Sequence, residues 1–323
     1  LFANPQMAHA AVAADLDALA ADIGCSLSGV GAGQRIPFIC FDLAGGANLA
    51  GSNVLVGQGL GQMDLLSTAG YSKLGLPGDM LPGQNSTGVN LLNPSIANDF
   101  TNSDLNLMFH ADSPMLFGIL EKAAAAVGNI DGCVIPARSD NDTANNPHNP
   151  LYAVAMTGAR GEVVDLIGSR ASDSGGNSMS PAMYIDPAFR PTKIDRFSDV
   201  TGLVDVGDLT AILEPNDVTA VMESIARVTH KKLKLNSTVS TGLPNDLVIK
   251  DLVRCGYLKA ADVANNFAGV PVDPEADPDI NPGIFTQNEL DNDSEFRKTA
   301  SVMKMVVNGY AAGGCITMGG YDY

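Results

Sequence analysis

The feature that most constrains the fold is the stretch 35–53, RIPFICFDLAGGANLAGSN, in which a run of strand-forming residues leads directly into a glycine-rich turn. Residues 36–43 are almost entirely apolar, a pattern typical of a strand that is buried on both faces of a parallel sheet. Pro37 suits the first residues of such a strand. We therefore predict that 36–43 is the first strand of the main sheet.

The turn after this strand contains three glycines, Gly45, Gly46 and Gly51. Glycine lets the backbone approach a ligand closely, and α/β folds build their sites at the carboxyl ends of strands. The turn is therefore one wall of a candidate site. A tight turn without a ligand explains the same glycines equally well.

Strands and helices alternate toward both ends of the chain. The patterns predict helices over 7–23, over 115–127 with Ser113 and Pro114 at its start, after Pro150, from 216, and over 296–310. Two short helices, broken near Gly256, are predicted in 245–266. Strands are predicted over 130–136, 163–167 and 315–318, with one or two short strands in 194–206. This order predicts an α/β fold with a mainly parallel sheet sandwiched by helices.

The domain organisation follows from length and local composition. With 323 residues, we expect a single α/β domain over 1–323 with long irregular loops, such as the Gly/Asn-rich stretch 54–106. The region 170–290 is more helical and is predicted to be a cap or insertion within that domain.

The charge balance excludes one class of partner. Lys and Arg total 19 against 36 Asp and Glu, a formal net charge of -17. Such a surface repels phosphate backbones, so we expect no nucleic-acid partner. No apolar run is long enough to span a bilayer, so we expect no membrane span.

Five cysteines are spread singly along the chain. Cys40, Cys133 and Cys315 each lie in apolar runs and are predicted to be small core residues. The sequence leaves undecided whether Cys25 or Cys255 takes part in a disulfide. The odd number of cysteines leaves at least one thiol outside any internal pair.

The four histidines show no metal-binding spacing. His230 is interpreted as a cation at a helix end, and His148 as part of a polar loop. A metal site made from the residues present would be rich in oxygen ligands, which favours Ca²⁺ or Mg²⁺ over zinc.

Two stretches, FDLAGGANLAGSN and the final FRKTASVMKMVVNGYAAGGCITMGGYDY, resemble an uncharacterised family of exported, sulfatase-like bacterial proteins, some of them labelled general secretion pathway proteins. Its members carry Gly-Gly-Ala-Asp and Gly-Gly-Trp-Asp-Thr-His motifs, and the family is similar in fold to the alkaline phosphatase and sulfatase superfamily. The resemblance implies a sulfatase-like α/β fold, a periplasmic or extracellular location, and metal-dependent hydrolysis of phosphate or sulfate esters.

The resemblance also implies site residues. In the superfamily, strand-end side chains hold divalent metals and a Ser or Thr attacks the phosphorus or sulfur. Asp322 matches the family's Asp, whereas Asn48, an uncharged and weaker ligand, stands where the family has Asp. Asp42 is a ligand by its place at a strand end, or a turn residue. Ser52 is the candidate nucleophile, or a capping residue.

These residues predict a site for a divalent cation, Ca, Mg, Mn or Zn. Tyr321 replaces the family's Trp, and the sequence ends at Tyr323, where the family continues with His. We therefore expect the C-terminal part of the fold to be missing from this sequence. An alternative function is a non-catalytic envelope or extracellular protein that self-associates or binds a partner through its long loops.

Overall fold

The computed structural model describes residues 12–27, 36–43, 47, 49–59, 64–76, 78, 80–82, 100–130, 132–135, 150–169, 191–205, 209–235, 246–319 and 321. The predicted start of the first helix and the turn glycines Gly45 and Gly46 lie outside these residues. So do Asn48 and Asp322.

The helices are α1 (Ala14–Asp22), α2 (Thr68–Lys73), α3 (Pro114–Ala123), α4 (Leu151–Met156), α5 (Phe197–Leu203), α6 (Leu209–Ile212), α7 (Pro215–Leu235), α8 (Asp246–Phe267), α9 (Gln287–Asn292) and α10 (Ser294–Val307). The strands are β1 (Ile39–Leu43), β2 (Thr101–Asn102), β3 (Phe109–His110), β4 (Val164–Gly168), β5 (Thr192–Lys193) and β6 (Ala311–Met318). None of the described helices combines the length and the hydropathy that crossing a bilayer requires.

The chain divides into two compact units. One contains Ala3–Asp42 and Thr143–Met318, and we call it the sheet unit. The other, the small unit, contains Leu43–Asp142, Gly319–Tyr323 and Leu1–Phe2.

The sheet unit is organised around a parallel four-stranded sheet in the order β1-β6-β4-β5, flanked by helices. Leu166 of β4 lies opposite Gly313 of β6, and Ile167 lies opposite Thr192 of β5. The predicted α/β class is confirmed, as are the strands predicted at 163–167 and 315–318. The last strand begins earlier than predicted, at Ala311.

The two faces of the sheet belong to different cores. On one face, Cys315 packs in a cluster with Leu151 of α4. On the other face, Ile316 packs with Val302 and Val306 of α10. Because successive side chains of a strand point to opposite faces, covering both faces buries almost the whole of β6.

The first strand is shorter and more exposed than the sequence predicts. It begins at Ile39, and Ile36 is 90% exposed and Phe41 51% exposed. The prediction of burial on both faces is wrong because β1 is an edge strand with β6 as its neighbour in the sheet. An apolar run does not by itself distinguish an edge position from a central one.

Helices α1, α7 and α8 form a separate layer. Leu16 of α1, Ala226 of α7 and Leu258 of α8 share one buried cluster. The hydroxyl of Thr219 in α7 donates to the carbonyl of Ala264 in α8 at 3.4 Å. Eleven residues later in α7, His230 contacts Arg254, which lies earlier in α8. The two helices therefore run antiparallel.

The prediction of two short helices in 245–266 is wrong, because α8 is continuous through Gly256. A glycine inside a helix costs about 1 kcal/mol relative to alanine. Burial of Leu258 and Ala261 against α1 and α7 offsets that cost.

The cysteines are partly as predicted. Cys25 and Cys255 form a disulfide across a sequence separation of 230 residues. Cys315 is buried and Cys40 half-buried, as expected of small core residues. Cys133 is exposed, so its predicted place in the core is wrong.

Two predicted strands are wrong. Of the predicted strand 130–136, the described residues 130 and 132–135 form no strand, and Ile135 is 46% exposed. The segment 194–206 holds helix α5, whose start is held by a hydrogen bond from the Asp195 N–H to the Asp199 carboxylate at 3.0 Å. Short apolar runs suit either element, and here an acidic residue in the first turn, Asp199, favours the helix.

The small unit contains α2, the antiparallel pair β2 and β3, α3 and the 3₁₀ helix Ala124–Asn129. As predicted, Pro114 opens α3 and the Ser113 side chain caps it, accepting from the Leu116 N–H at 3.3 Å. The core of this unit combines Val54, Phe109 and Leu116.

Candidate functional site

The carboxyl ends of β1 and β6 bring two oxygen-bearing side chains together. The N–H of Gly314 donates to the carbonyl of Phe38 at 3.0 Å, and in a parallel pair this bond places Asp42 opposite Thr317. The Thr317 hydroxyl donates to an Asp42 carboxylate oxygen at 3.4 Å. Asp42, predicted from its place at a strand end, therefore lies at the carboxyl edge of the sheet.

The end of β4 is joined to the same edge. Ser169 follows β4 directly and is 3% exposed. Its N–H donates to the Cys315 carbonyl at 3.0 Å, and its hydroxyl oxygen accepts from the Thr317 N–H at 2.8 Å. These bonds continue the ladder past the end of β4 and hold Thr317 in position beside Asp42.

Helix α10 contributes a cation to this edge. The Lys298 ammonium donates to the Thr317 carbonyl at 3.4 Å and to a Glu295 carboxylate oxygen at 2.5 Å. The other Glu295 oxygen, Oε2, is buried with no hydrogen-bond partner among the described residues. The N-terminal end of α10, where the helix dipole is positive, thus lies at the carboxyl end of β6.

The far end of the edge, beyond β5, is a network of paired charges. The Lys193 ammonium lies 2.8 Å from the Asp195 carboxylate, and Arg196 contacts both Asp195 and Asp199. Burial alone would raise the pKa of Asp195, but hydrogen bonds from its neighbours and the charge of Lys193 lower it. Asp195 is therefore a charged member of a surface network.

Two thiols lie beneath the Asp42 and Thr317 pair. The same register places Cys40 opposite Cys315, two residues back along each strand and on the face covered by α4. A hydrogen bond with Cys315 lowers the pKa of Cys40, against the opposing effects of burial and of the Asp42 charge.

Ser52 lies in the small unit, in a turn at 51–53. The Asn53 side chain donates to the Ser52 hydroxyl at 3.4 Å and accepts from the Ser113 hydroxyl at 2.8 Å. This chain of bonds ties the turn to the cap of α3. Asn48 and Asp322 lie outside the described residues, so their roles stay predictions.

The predicted role of His230 is wrong. The imidazole is 5% exposed and lies under Arg254, whose guanidinium nitrogens approach its ring nitrogens at 2.9–3.2 Å. Burial, and then the positive charge of Arg254, lower the pKa of His230. His230 is thus a neutral side chain packed between α7 and α8. The sequence predicts a cation there because the residue lies near the end of a helix.

The ligand atoms at the carboxyl edge are of the type that a hard divalent cation prefers. Asp42 and Thr317 offer oxygen, which Mg²⁺ and Ca²⁺ prefer. Among the described residues, however, no group of three or more His, Cys, Asp and Glu is placed to hold a metal ion.

Sequence reasoning missed Thr317, Ser169 and Lys298. The first two carry a usable signal, since each is a polar residue at the end of a correctly predicted parallel strand. Lys298 carries no such signal in the sequence, because its place depends on how α10 packs on the sheet.

Comparison of the chain with protein-family models, with curated proteins and with solved structures finds no match.

Proposed function

We propose that the chain is an exported, sulfatase-like α/β protein whose carboxyl sheet edge serves the divalent-cation-dependent hydrolysis of phosphate or sulfate esters. The observation that carries this proposal is the contact of Asp42 with Thr317 at neighbouring strand ends. Open parallel sheets bind ligands beyond the carboxyl ends of their strands. A bound divalent cation would supply charge neutralisation and an activated oxygen nucleophile.

One cation, Lys298, lies at this edge and pairs with the Glu295 carboxylate at 2.5 Å. Lys298 has a side chain that is 17% exposed, and it lies in the first turns of the 14-residue helix α10. A sulfate or phosphate group is attracted both by an ammonium and by a helix N-terminus. Asn48 and Asp322 remain the further ligands, and Ser52 the nucleophile, that the resemblance implies.

The disulfide supports the proposed location. Structural disulfides persist in oxidising compartments and are rare in the cytosol. The bond between Cys25 and Cys255 therefore favours a periplasmic or extracellular protein.

The test is turnover of aryl phosphate and aryl sulfate esters with Mg²⁺, Ca²⁺, Mn²⁺ or Zn²⁺ added to the full-length protein. We expect Asp42→Asn to lower kcat/KM by roughly 100-fold, the effect typical of losing one charge-stabilising group. Asp165→Asn is the matched control, because Asp165 lies in β4, away from the strand end. Unchanged turnover in Asp42→Asn, or no turnover with any of the four cations, would contradict the proposal.

We propose a second function, favoured by a different observation: a non-catalytic envelope or extracellular protein that self-associates or binds a partner. Large apolar side chains of α8 are exposed, with Leu252 at 66%. Exposed apolar patches of this kind mark interaction surfaces. The two functions separate experimentally. The first predicts turnover that Asp42→Asn lowers, whereas the second predicts no turnover and an association that Leu252→Glu removes.

A further inference from the structure

The first half of α8 presents an apolar face to solvent. The exposed side chains are Leu247 at 61%, Val248 at 58%, Ile249 at 54%, Leu252 at 66%, Val253 at 42% and Tyr257 at 42%, and we call this set the α8 face. Val248, Ile249, Leu252 and Val253 recur with helical spacing on one side, opposite the buried Arg254 and Leu258. These four side chains therefore form an apolar row on the outward side of α8.

Helix α7 extends the apolar character of this layer. A shallow groove of about 600 Å³ runs along α7, and its apolar lining includes Val221, Ile225 and Val228. Lys232 continues the same row one turn further, because these four positions follow helical spacing. Since residue 230 meets residue 254 in the antiparallel pair, Lys231 and Lys232 lie level with Leu252 and Val253.

The charge of this region is opposite to that of the whole chain. Residues 227–259 contain seven Lys and Arg against two Asp, a net charge of +5, whereas the whole chain carries -17. Lys231, Lys232 and Lys259 are exposed. The α8 face is thus an apolar row beside exposed lysines, on a protein that is otherwise strongly acidic.

We propose that the α8 face docks on an anionic lipid surface, an inference that rests on the second proposed function and names its partner. Helices that lie in the membrane interface combine a row of large apolar side chains with flanking lysines. The lysines attract anionic headgroups at about 1 kcal/mol each, and the apolar side chains enter the acyl boundary. The acidic remainder of the chain favours an orientation with these lysines toward the lipid.

A symmetric dimer through this face is the competing occupant. In a two-fold dimer the same patch meets itself, so the exposed lysines Lys231, Lys232 and Lys259 of both copies would come together. Like charges across an interface oppose association. The basic lysines beside the α8 face therefore favour a negatively charged surface over a second copy.

The experiment is co-sedimentation of the full chain with vesicles of phosphatidylcholine plus phosphatidylserine, compared with phosphatidylcholine alone. We expect partitioning to be at least about tenfold stronger on the anionic vesicles and to weaken as salt is raised. Leu252→Glu, and the double variant Lys231→Glu with Lys232→Glu, should each lower binding about tenfold or more. Circular dichroism and thermal unfolding verify that each variant is folded.

Two matched controls use the same substitutions elsewhere. Ile212→Glu changes an apolar residue that is 74% exposed in α6, and Lys122→Glu changes a lysine whose side chain is 64% exposed in α3. Both should bind vesicles like the unchanged chain. Equal loss of binding in these controls would overturn the assignment to the α8 face.

The remaining outcomes separate this inference from the function on which it rests. No vesicle binding, together with a dimer in light scattering that Leu252→Glu dissociates, would overturn the lipid inference and keep the second proposed function. No vesicle binding and a monomer at all concentrations would overturn both.

Discussion

At the scale of single residues, Lys304 and Asp277 form a nearly buried ion pair outside the carboxyl edge. The ammonium of Lys304 lies 2.7 Å from the Asp277 carboxylate, and the two side chains are only 7% and 15% exposed. Burial alone would raise the pKa of Asp277, but the hydrogen bond from Lys304 and the bonds from backbone N–H groups lower it below 3.8. The pair therefore anchors α10 to the turn that contains Asp277.

Removing one partner of this pair should be costly. We expect Lys304→Ala to lower the free energy of unfolding at neutral pH by about 3–5 kcal/mol, because it leaves the Asp277 carboxylate buried without its cation. Since the folded pKa of Asp277 is depressed, the contribution is present above pH 3.8 and is lost as the pH falls through the folded value. Urea unfolding at neutral and acid pH measures both effects.

The control is Lys193→Ala, which removes a lysine that pairs with Asp195 but is 42% exposed. Its cost should stay within about 1 kcal/mol, as for other surface pairs. Equal costs for the two variants would show that burial of the Lys304 pair does not matter.

At the scale of elements, two glycines have opposite surroundings, and one of them decides how closely α10 packs on the sheet. A Cβ on Gly314 of β6 would lie 2.6 Å from Val302 Cγ1 and 2.9 Å from Val306 Cγ2 of α10. A Cβ on Gly256 of α8 would meet nothing within 4 Å. Only the first glycine is required by packing.

These glycines form a matched pair of substitutions. We expect Gly314→Ala to destabilise the protein by about 1–3 kcal/mol, the usual cost of overpacking a core. Gly256→Ala should stabilise it by about 0.5–1 kcal/mol, because alanine loses less conformational entropy in a helix interior. Both changes are read from chemical denaturation, and a neutral Gly314→Ala would mean that α10 moves away from the sheet without cost.

The elements also show where sequence patterns succeed. Helices α3 and α10 were predictable because caps and periodicity agree, with Ser113 before the proline and a clear apolar row after 294. The pattern failed at α8 because local propensity at Gly256 pointed to a break that packing against α1 and α7 overrides. The prediction of strands in 194–206 failed because a short apolar run has no clear helical or strand periodicity.

At the scale of the whole molecule, the disulfide is the longest-range covalent link. It joins Cys25, just after α1, to Cys255 in α8 across 230 residues of sequence. Closing so long a loop restricts the unfolded chain, and the helical layer of α1, α7 and α8 benefits.

Loss of this bond should be visible in global stability. We expect the double variant Cys25→Ser with Cys255→Ser to lose about 2–5 kcal/mol, and a reductant to reduce the stability of the unchanged protein in the same way. Cys133→Ser is the control, since this exposed free thiol should contribute little. If a reductant destabilises the double variant as much as the unchanged protein, the loss of stability does not come from this disulfide, and the prediction is contradicted.

The amino-acid sequence by itself determined the α/β class, the order of most elements and the place of Asp42 at a strand end. These follow from periodicity, caps and the chain order of strands, which are local properties. The edge position of β1, the exposed state of Cys133 and the burial of His230 under Arg254 were decided only in three dimensions.

The candidate site divides in the same way. Asp42 could be named from the end of one strand, but its contact with Thr317 depends on the register of two strands far apart in sequence. The apolar residues of α8 are visible in the sequence. Only the tertiary structure shows that the α8 face is turned to solvent, because α1 and α7 pack on the other side of the helix.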